Sequence, residues 1–301
     1  MAKLSILKQI EKDYGEFSAI RDSRPSDKVA RFSRAQYEKL EKILGANDPI
    51  VTAEWIARHY LASKKISLAA LYFTQSETLL SQGMKNLSFY ACYYSLFSAL
   101  SANVLLNTDF QLNKVREISH SALAREIENY YVRVGVYDEE VVRLLDELRF
   151  CRELYSYHLP ISGDVIHGET KLDVDRLHDR LGKILPVCLQ VSDMQSYLSY
   201  YAWGSAVGRP HDFSAQQIPE VDELFWSIVT RNGTSSLSHQ DRGDYYLLAY
   251  FLRSGQPIPL TWLINEKVLE EVECGWVEES EPAGYHIGSI AHYLAKVTGA
   301  L

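Results

Sequence analysis

A chain of 301 residues, 47% hydrophobic and 23% charged, is long enough for one large domain or two ordinary ones and apolar enough to bury proper cores. Sixteen glycines, nine prolines and no low-complexity run exclude a disordered or fibrous chain. The net charge of −8 is unevenly placed: 13 acidic residues stand against six basic ones from Tyr201 onward, but 26 against 25 before it. A nucleic acid is repelled by that last third and can approach only the earlier part.

The cysteines Cys92, Cys151, Cys188 and Cys274 lie far apart, with no CxxC and no Cys/His pair at zinc-ligand spacing. Cys92 and Cys151 sit inside apolar helical patterns and read as small buried hydrophobes. His59, His178, His211, His239, His286 and His292 form no ligand pattern, so no metal and no other cofactor is expected. No Gly-rich phosphate loop, hydrolase serine motif or dinucleotide fingerprint occurs. The first residues meet charge too early for a signal peptide, and no apolar run is long enough for a bilayer. The expectation is a cytoplasmic chain without a membrane segment.

In chain order, a helix is predicted from Ser26-Asp27 to about Gly45, burying Val29, Phe32, Tyr37, Leu40 and Ile43. Gly45 and the following Asn-Asp-Pro stop it. Arg21, Arg24, Lys28, Arg31 and Arg34 form a loose basic group that reads as a solvated face. A short helix over Ile50 to Ala62 and a separate one over Ser67 to Leu80, closed by Ser81-Gln82-Gly83, come next. Lys85 to Asn107 is apolar on most faces, so it belongs in the middle of a bundle. Its small residues Ala91, Ser95, Ser98 and Ala102 allow a neighbouring helix to approach closely. Its aromatic residues Phe89, Tyr90, Tyr93, Tyr94 and Phe97 read as core and not as a base-stacking platform, because no basic residue interrupts them. After a polar connection, helices are expected from Ser121 to Val134, ended by Gly135, and from Asp138 to His158. Ile161 to Thr170 reads as a loop, and Leu172 to Tyr201 as a helix with Pro186 inside it. Beyond a loosened stretch at Trp203 to Pro219, helices are predicted over Glu220–Thr230, Asp241–Arg253, Leu260–Glu271 and Tyr285–Lys296.

The Asp138 to Pro160 segment, DEEVVRLLDELRFCRELYSYHLP, carries the chemistry. Leu144, Leu148, Cys151, Tyr155 and His158 recur on one helical face, which predicts a buried stripe leading to a helix mouth at His158. Acidic residues open the segment, where a helix N-terminus favours negative charge, and Pro160 disfavours helix at Leu159. Arg152 flanks the stripe about 9 Å back along the axis. A guanidinium meeting an imidazole there makes a phosphate-handling pair. The competing reading has His158 as a simple helix cap and Arg152 paired with Glu147, Glu153 or Asp146. Lys114, Arg116, His120 and Arg149 are the candidate nucleic-acid contacts, with Ser119 or Ser121 capping the helix that begins near His120. His167 is a further candidate in the loop after the mouth.

The pieces ALYFTQSETLLSQG, FYACYYSLFSALSANVLL, SHSAL and LRFCRELYSYHLP, in that order over Ile66–Pro160, resemble the HEPN (higher eukaryotes and prokaryotes nucleotide-binding) domain family. The last piece holds an arginine, five intervening residues and a histidine, like that family's signature. About one-third of the chain is covered. The resemblance implies an all-helical bundle that pairs as a homodimer, bringing two Arg–His pairs into one cleft. Catalytic members of the family are metal-independent endoribonucleases; others are RNA-binding or protein-binding modules. Carried onto this chain, Arg152 would hold the scissile phosphate and His158 would be the general acid or base. Glu153 departs from the Asn, Asp or His often found after the arginine, and repels phosphate unless it orients Arg152 or relays a proton.

The expected architecture is therefore all-α: an antiparallel HEPN-like bundle over 66–200, a helical N-terminal extension over 1–65, and an acidic, mostly helical region over 201–301. Two functions stay open. One is a metal-independent endoribonuclease in RNA processing, defence or a toxin-like role, working at a homodimer cleft. The other is a catalytically silent helical scaffold for RNA, a nucleotide or a protein partner. The acidic region would dock on the bundle, bind a basic protein, or cover the site as a mimic of nucleic acid.

Overall fold

The structure is a computed structural model that describes residues 6–14, 17–158, 165–206, 209–213, 218–230, 242–268 and 291–294. Three helices open it: α1 (Ile6–Tyr14), α2 (Ser18–Ser23) and α3 (Ser26–Leu44). Helix α3 buries Val29, Phe32, Leu40 and Leu44, and ends where the Gly45 N–H reaches the Glu41 carbonyl at 2.9 Å.

Helix α4 (Pro49–Ser81) corrects an expectation, because it is one helix of 33 residues and not two short ones. Ser63-Lys64-Lys65-Ile66 contains no helix breaker, and Ala62, Ser63 and Ile66 are all buried, so packing carries the helix through. At its start the Asp48 side chain accepts from the Ile50 N–H at 2.8 Å, and Pro49 takes the first-turn position where its missing N–H is harmless. At its end Gly83 has φ 73°. There the Met84 N–H reaches the Leu79 carbonyl at 2.8 Å and the Gly83 N–H reaches Leu80 at 2.9 Å. This paired cap needs a left-handed residue, which glycine supplies.

The cap turns the chain back into α5 (Lys85–Leu105), the centre of the bundle. Helix α5 packs against α4, and then against α7 (His120–Ile127), α8 (Glu139–Tyr157) and α9 (Val174–Ala206). Its small residues are buried as expected, and the Ser95 hydroxyl donates to the α4 carbonyl of Ala69 at 2.8 Å. A short α6 (Leu112–Val115) interrupts the connection to α7. Instead of staying α-helical to Val134, α7 widens into a π-turn over Glu128–Val132, and Gly135 at φ 80° ends the helical run as expected. The wide turn delivers Tyr131 to the core.

The loop expected up to Thr170 ends in a hairpin of β1 (Val165–His167) and β2 (Thr170–Leu172), antiparallel, with Val165 opposite Leu172 and His167 opposite Thr170. Val165 and Leu172 are both buried, which fixes the register. Helix α9 passes Pro186 without ending. Beyond it come α10 (Pro219–Val229), α11 (Arg242–Arg253), α12 (Leu260–Leu263) with a π-turn over Ile264–Val268, and a helical turn at 291–294. Cys274 and most of the Tyr285–Lys296 segment lie outside the described residues.

Two polar assemblies fix the packing. In the bundle core, Asn103 of α5 donates to the Cys188 carbonyl at 2.8 Å and to Ser192 at 2.6 Å on α9. Its side-chain oxygen accepts from the Tyr137 hydroxyl at 2.5 Å, and its carbonyl accepts from Tyr131 at 2.7 Å. On the tail side, the α12 N–H groups of Leu260 and Thr261 donate to Ser196 at 3.0 Å and Asp193 at 3.3 Å on α9. His59 of α4 bonds the Ile258 carbonyl at 2.6 Å and Ser199 at 2.5 Å. Burial pushes the His59 imidazole down to about 4 and the Asp193 carboxyl up to about 6. Asp244 of α11 takes the Tyr60 hydroxyl and the Lys64 ammonium of α4. The tail helices are thus docked on α4 and α9. Among the described residues no helix is long and apolar enough to cross a membrane.

Candidate functional site

Helices α5, α7 and α8 converge on Tyr93. This ring is 1% exposed, because it lies on the α5 face covered by its neighbours. Ser119 caps α7, its hydroxyl accepting from the Ala122 N–H at 3.3 Å, and so starts the helix at His120. The imidazole packs at 4.6 Å from Phe97 and 5.5 Å from Tyr93, centroid to centroid, and its Nδ1 is hydrogen-bonded to the Tyr93 hydroxyl. From α8, the Arg152 guanidinium lies 5.5 Å over Tyr93 and 5.9 Å over Tyr94. Its Nε is buried and has no hydrogen-bond partner among the described residues.

The electrostatics follow from this crowding. Desolvation first, and then the charge of Arg152, holds the His120 imidazole below its ordinary 6.5, while Glu153 partly opposes and Arg149 adds to the depression. Burial keeps the Tyr93 phenol protonated far above its usual range, despite the nearby Arg152 charge. His120 is therefore neutral at neutral pH, and Tyr93 fixes its Nδ1, leaving Nε2 as the nitrogen for a ligand.

Two of the three alternative carboxylate partners for Arg152, Asp146 and Glu147, are engaged elsewhere. Asp146 takes Arg149 at 2.8 Å and His167 at 3.1 Å, and the His167 ring also packs on Phe150 at 4.4 Å. Buried Glu147 binds Arg180 of α9, which reaches Glu140 as well at 2.5 Å. Arg143, Arg149 and Arg180 each meet a carboxylate; Arg152 meets two tyrosine rings instead.

His158 sits differently from the expected buried mouth. Leu144, Leu148 and Cys151 are buried, but Tyr155 is only half-buried and His158 is exposed as the C-cap, its N–H on the Leu154 carbonyl at 2.9 Å. The cause is the packing at the start of α5: Phe89 stacks on Tyr155 at 5.2 Å, and the last turn of α8 beyond that contact stands in solvent, with Tyr157 72% exposed. Glu153 is exposed beside Arg152.

Compared with known proteins, the chain matches no family model, no curated protein and no solved structure.

The remaining candidates divide. Arg149 shares the Arg152 neighbourhood, since its charge acts on both His120 and Tyr93. Lys114 is exposed on α6. Arg116 is drawn toward the tail, donating to the Ser227 carbonyl of α10 at 2.7 Å. It lines a separate cleft of about 560 Å³ with Trp55, Arg58 and Phe110. Arg58 there is committed to Glu54 and to the carbonyls of Leu105 and Phe110, which makes it a fastening for the chain after α5. Among the described residues, no three His, Cys, Asp or Glu side chains are grouped to hold a metal ion.

Tyr93 and Tyr94 are the site residues that periodicity alone concealed. Both stand in an apolar helix, whose pattern reads them as core. The signal is the hydroxyl of Tyr93, which a buried tyrosine must satisfy, and which finds His120.

Proposed function

We propose that the chain is a HEPN-like RNA-binding protein that holds a phosphodiester at Arg152 and cleaves it with imidazole acid–base chemistry. The observation that supports this most directly is Arg152 itself. Its guanidinium is held over tyrosine rings beside a neutral histidine, with its charge uncommitted to Asp146 or Glu147. A guanidinium so placed binds phosphate oxygens through a planar fork and stabilises the charge that grows on them during reaction.

In the reaction, His120 is the tautomer whose Nδ1–H donates to the Tyr93 oxygen, so its unprotonated Nε2 takes the proton of the ribose 2′-hydroxyl. The 2′ oxygen attacks phosphorus, the bond from phosphorus to the 5′ oxygen breaks, and that oxygen takes a proton from a second imidazole. The products are a 2′,3′-cyclic phosphate and a 5′-hydroxyl. His158 is our choice for the second imidazole. It lies six residues after Arg152 and is solvent-accessible, and a two-fold homodimer joining the ends of α8 would bring one His158 from each copy to a shared cleft. Light scattering should then give twice the 34.4 kDa chain mass.

A second reading rests on Glu153. An exposed carboxylate next to Arg152 repels phosphate and favours a module that binds RNA, a nucleotide or a protein without cutting RNA. Incubation of end-labelled RNA with the protein in excess chelator tests the two. Cyclic-phosphate products lost in Arg152→Ala support the nuclease. Arg152-dependent binding without products supports the silent module. Cleavage that needs an added metal overturns the proposed chemistry.

A further inference from the structure

The tyrosines of α4 and α5 do more than fill the bundle. Tyr94 is in contact with Tyr90 at 4.6 Å and with Tyr72 of α4 at 5.6 Å, centroid to centroid. Tyr93 is sealed in the core, but Tyr90 is 43% exposed, and Leu87 one turn earlier is 52% exposed. An aromatic surface therefore emerges from the core along α5. It emerges beside the arginine, because the guanidinium of Arg152 lies over Tyr94, and its charge acts on the Tyr90 hydroxyl as well. Helix α5 carries no basic residue after Lys85; α8 supplies the cation.

We infer that the exposed ring of Tyr90, backed by Tyr94, is a stacking subsite for an unpaired nucleobase whose neighbouring phosphate sits on Arg152. This rests on the phosphodiester reading of Arg152 and adds to it the kind of strand that is bound. A cation over one face of an aromatic cluster and an open ring next to it are the two elements that single-strand-binding surfaces combine. Bases in a duplex keep their faces stacked on one another and cannot use such a ring. The site is thereby selective for single strands. Hydrogen-bonding edges play no part in this contact, so it tolerates any base.

The test measures binding of a fluorescein-labelled single-stranded RNA dodecamer, the same backbone carrying abasic residues, and the corresponding duplex. Wild type should bind the single strand most tightly. Tyr90→Ala should weaken that binding about fivefold to a hundredfold, the range that loss of one stacked base produces. It should leave abasic binding unchanged, whereas Tyr90→Phe should keep wild-type affinity. Arg152→Ala should weaken the base-bearing and abasic strands alike. Tyr90 is partly exposed, so its variants should melt with the wild type, which circular dichroism verifies.

The subsite is overturned if Tyr90→Ala binds the single strand as wild type does, or if wild type binds abasic RNA and duplex equally well. An Arg152 effect with no Tyr90 effect removes the subsite alone. No effect of either residue removes the phosphodiester reading with it. A Tyr90→Ala protein whose mass by light scattering halves would assign this face to a second copy of the chain and overturn the subsite.

Discussion

His120 and Tyr93 are joined by a hydrogen bond between the imidazole Nδ1 and the buried phenol hydroxyl. The bond ties the first residue of α7 to the middle of α5, and it sets the imidazole beside the arginine that α8 presents to the same ring. The imidazole that shares the Tyr93 ring with Arg152 is thus that of His120, while His158 stands in solvent at the end of α8.

Substitution separates the two histidines. Loss of one acid–base group lowers rate by roughly a hundredfold to ten-thousandfold. His120→Ala and His158→Ala should each do so if both carry protons, with RNA affinity little changed. Tyr93→Phe should lower the rate less, because it removes the bond that orients His120 and leaves the ring. Arg152→Lys should restore only part of the activity lost in Arg152→Ala, since a point charge does not reproduce the fork. Single-turnover rates on a labelled RNA provide the measurement. A wild-type rate in His120→Ala would remove that residue from the chemistry.

The titration of His120 is a second expectation. Desolvation is the main cause of its lowered value and the Arg152 charge the next. Arg152→Gln should therefore raise the His120 midpoint, yet leave it below the ordinary 6.5. Because the folded state prefers the neutral ring, the stability it contributes is complete above 6.5 and declines as pH falls through the lowered midpoint. Imidazole proton shifts followed by NMR between pH 4 and 8 measure this. A midpoint above the ordinary value in the wild type would contradict it.

The tail clasp titrates in opposite directions at its two ends. Asp193 has its carboxyl raised from 3.8 to about 6, so its contribution is complete below 3.8 and is lost as pH rises through about 6. His59 is lowered from 6.5 to about 4, so its contribution is complete above 6.5 and is lost as pH falls toward about 4. Asp193→Asn keeps an acceptor for the Thr261 N–H and removes the charge. It should stabilise the protein by on the order of 2 kcal/mol at pH 7.5, and the gain should shrink toward pH 4. Thermal melting across that range gives the comparison; a gain independent of pH would dismiss the explanation.

Asn103 offers a test of the core. Its replacement by alanine leaves the Tyr137 hydroxyl, the Cys188 carbonyl and Ser192 without their partner in a buried setting. The expected loss is about 3 kcal/mol, as orphaned buried polar groups cost more than a hydrogen bond returns. Tyr137→Phe removes one donor and should lose about 1 kcal/mol. Equal losses in urea unfolding would show that the network is not organised by Asn103.

Local signals in the sequence carry much of this architecture. Gly45 and the Asn-Asp-Pro after it mark the end of α3, Pro160 places the end of α8 within a residue, and the apolar faces of Lys85–Asn107 identify the central helix. What stays hidden depends on contacts distant in sequence. Lys64-Lys65 looks like a linker only until the burial of Ala62 and Ile66 is known. The π-turn at Glu128–Val132 exists to bury Tyr131, and the three-residue strands at Val165 and Thr170 have no alternation to detect. At the site, Arg152 is conspicuous from its neighbours in sequence. Its meeting with His120 and Tyr93 belongs to the packing of three helices, which no periodicity within one helix expresses.

The unbroken course of α4 has a practical bearing on how this chain can be divided. A fragment beginning at residue 66 would sever the helix near its middle and discard the turns bearing Trp55, Ile56, His59 and Tyr60, all buried. The same turns hold α11 through Asp244 and the strand of chain before α12 through Ile258. Removing them would expose apolar surface on the bundle and on the tail together, so the two should fail as a pair. Fragments meant to isolate the Arg152 region are better begun at Asp48, where the helix has its own cap and the whole of α4 is retained.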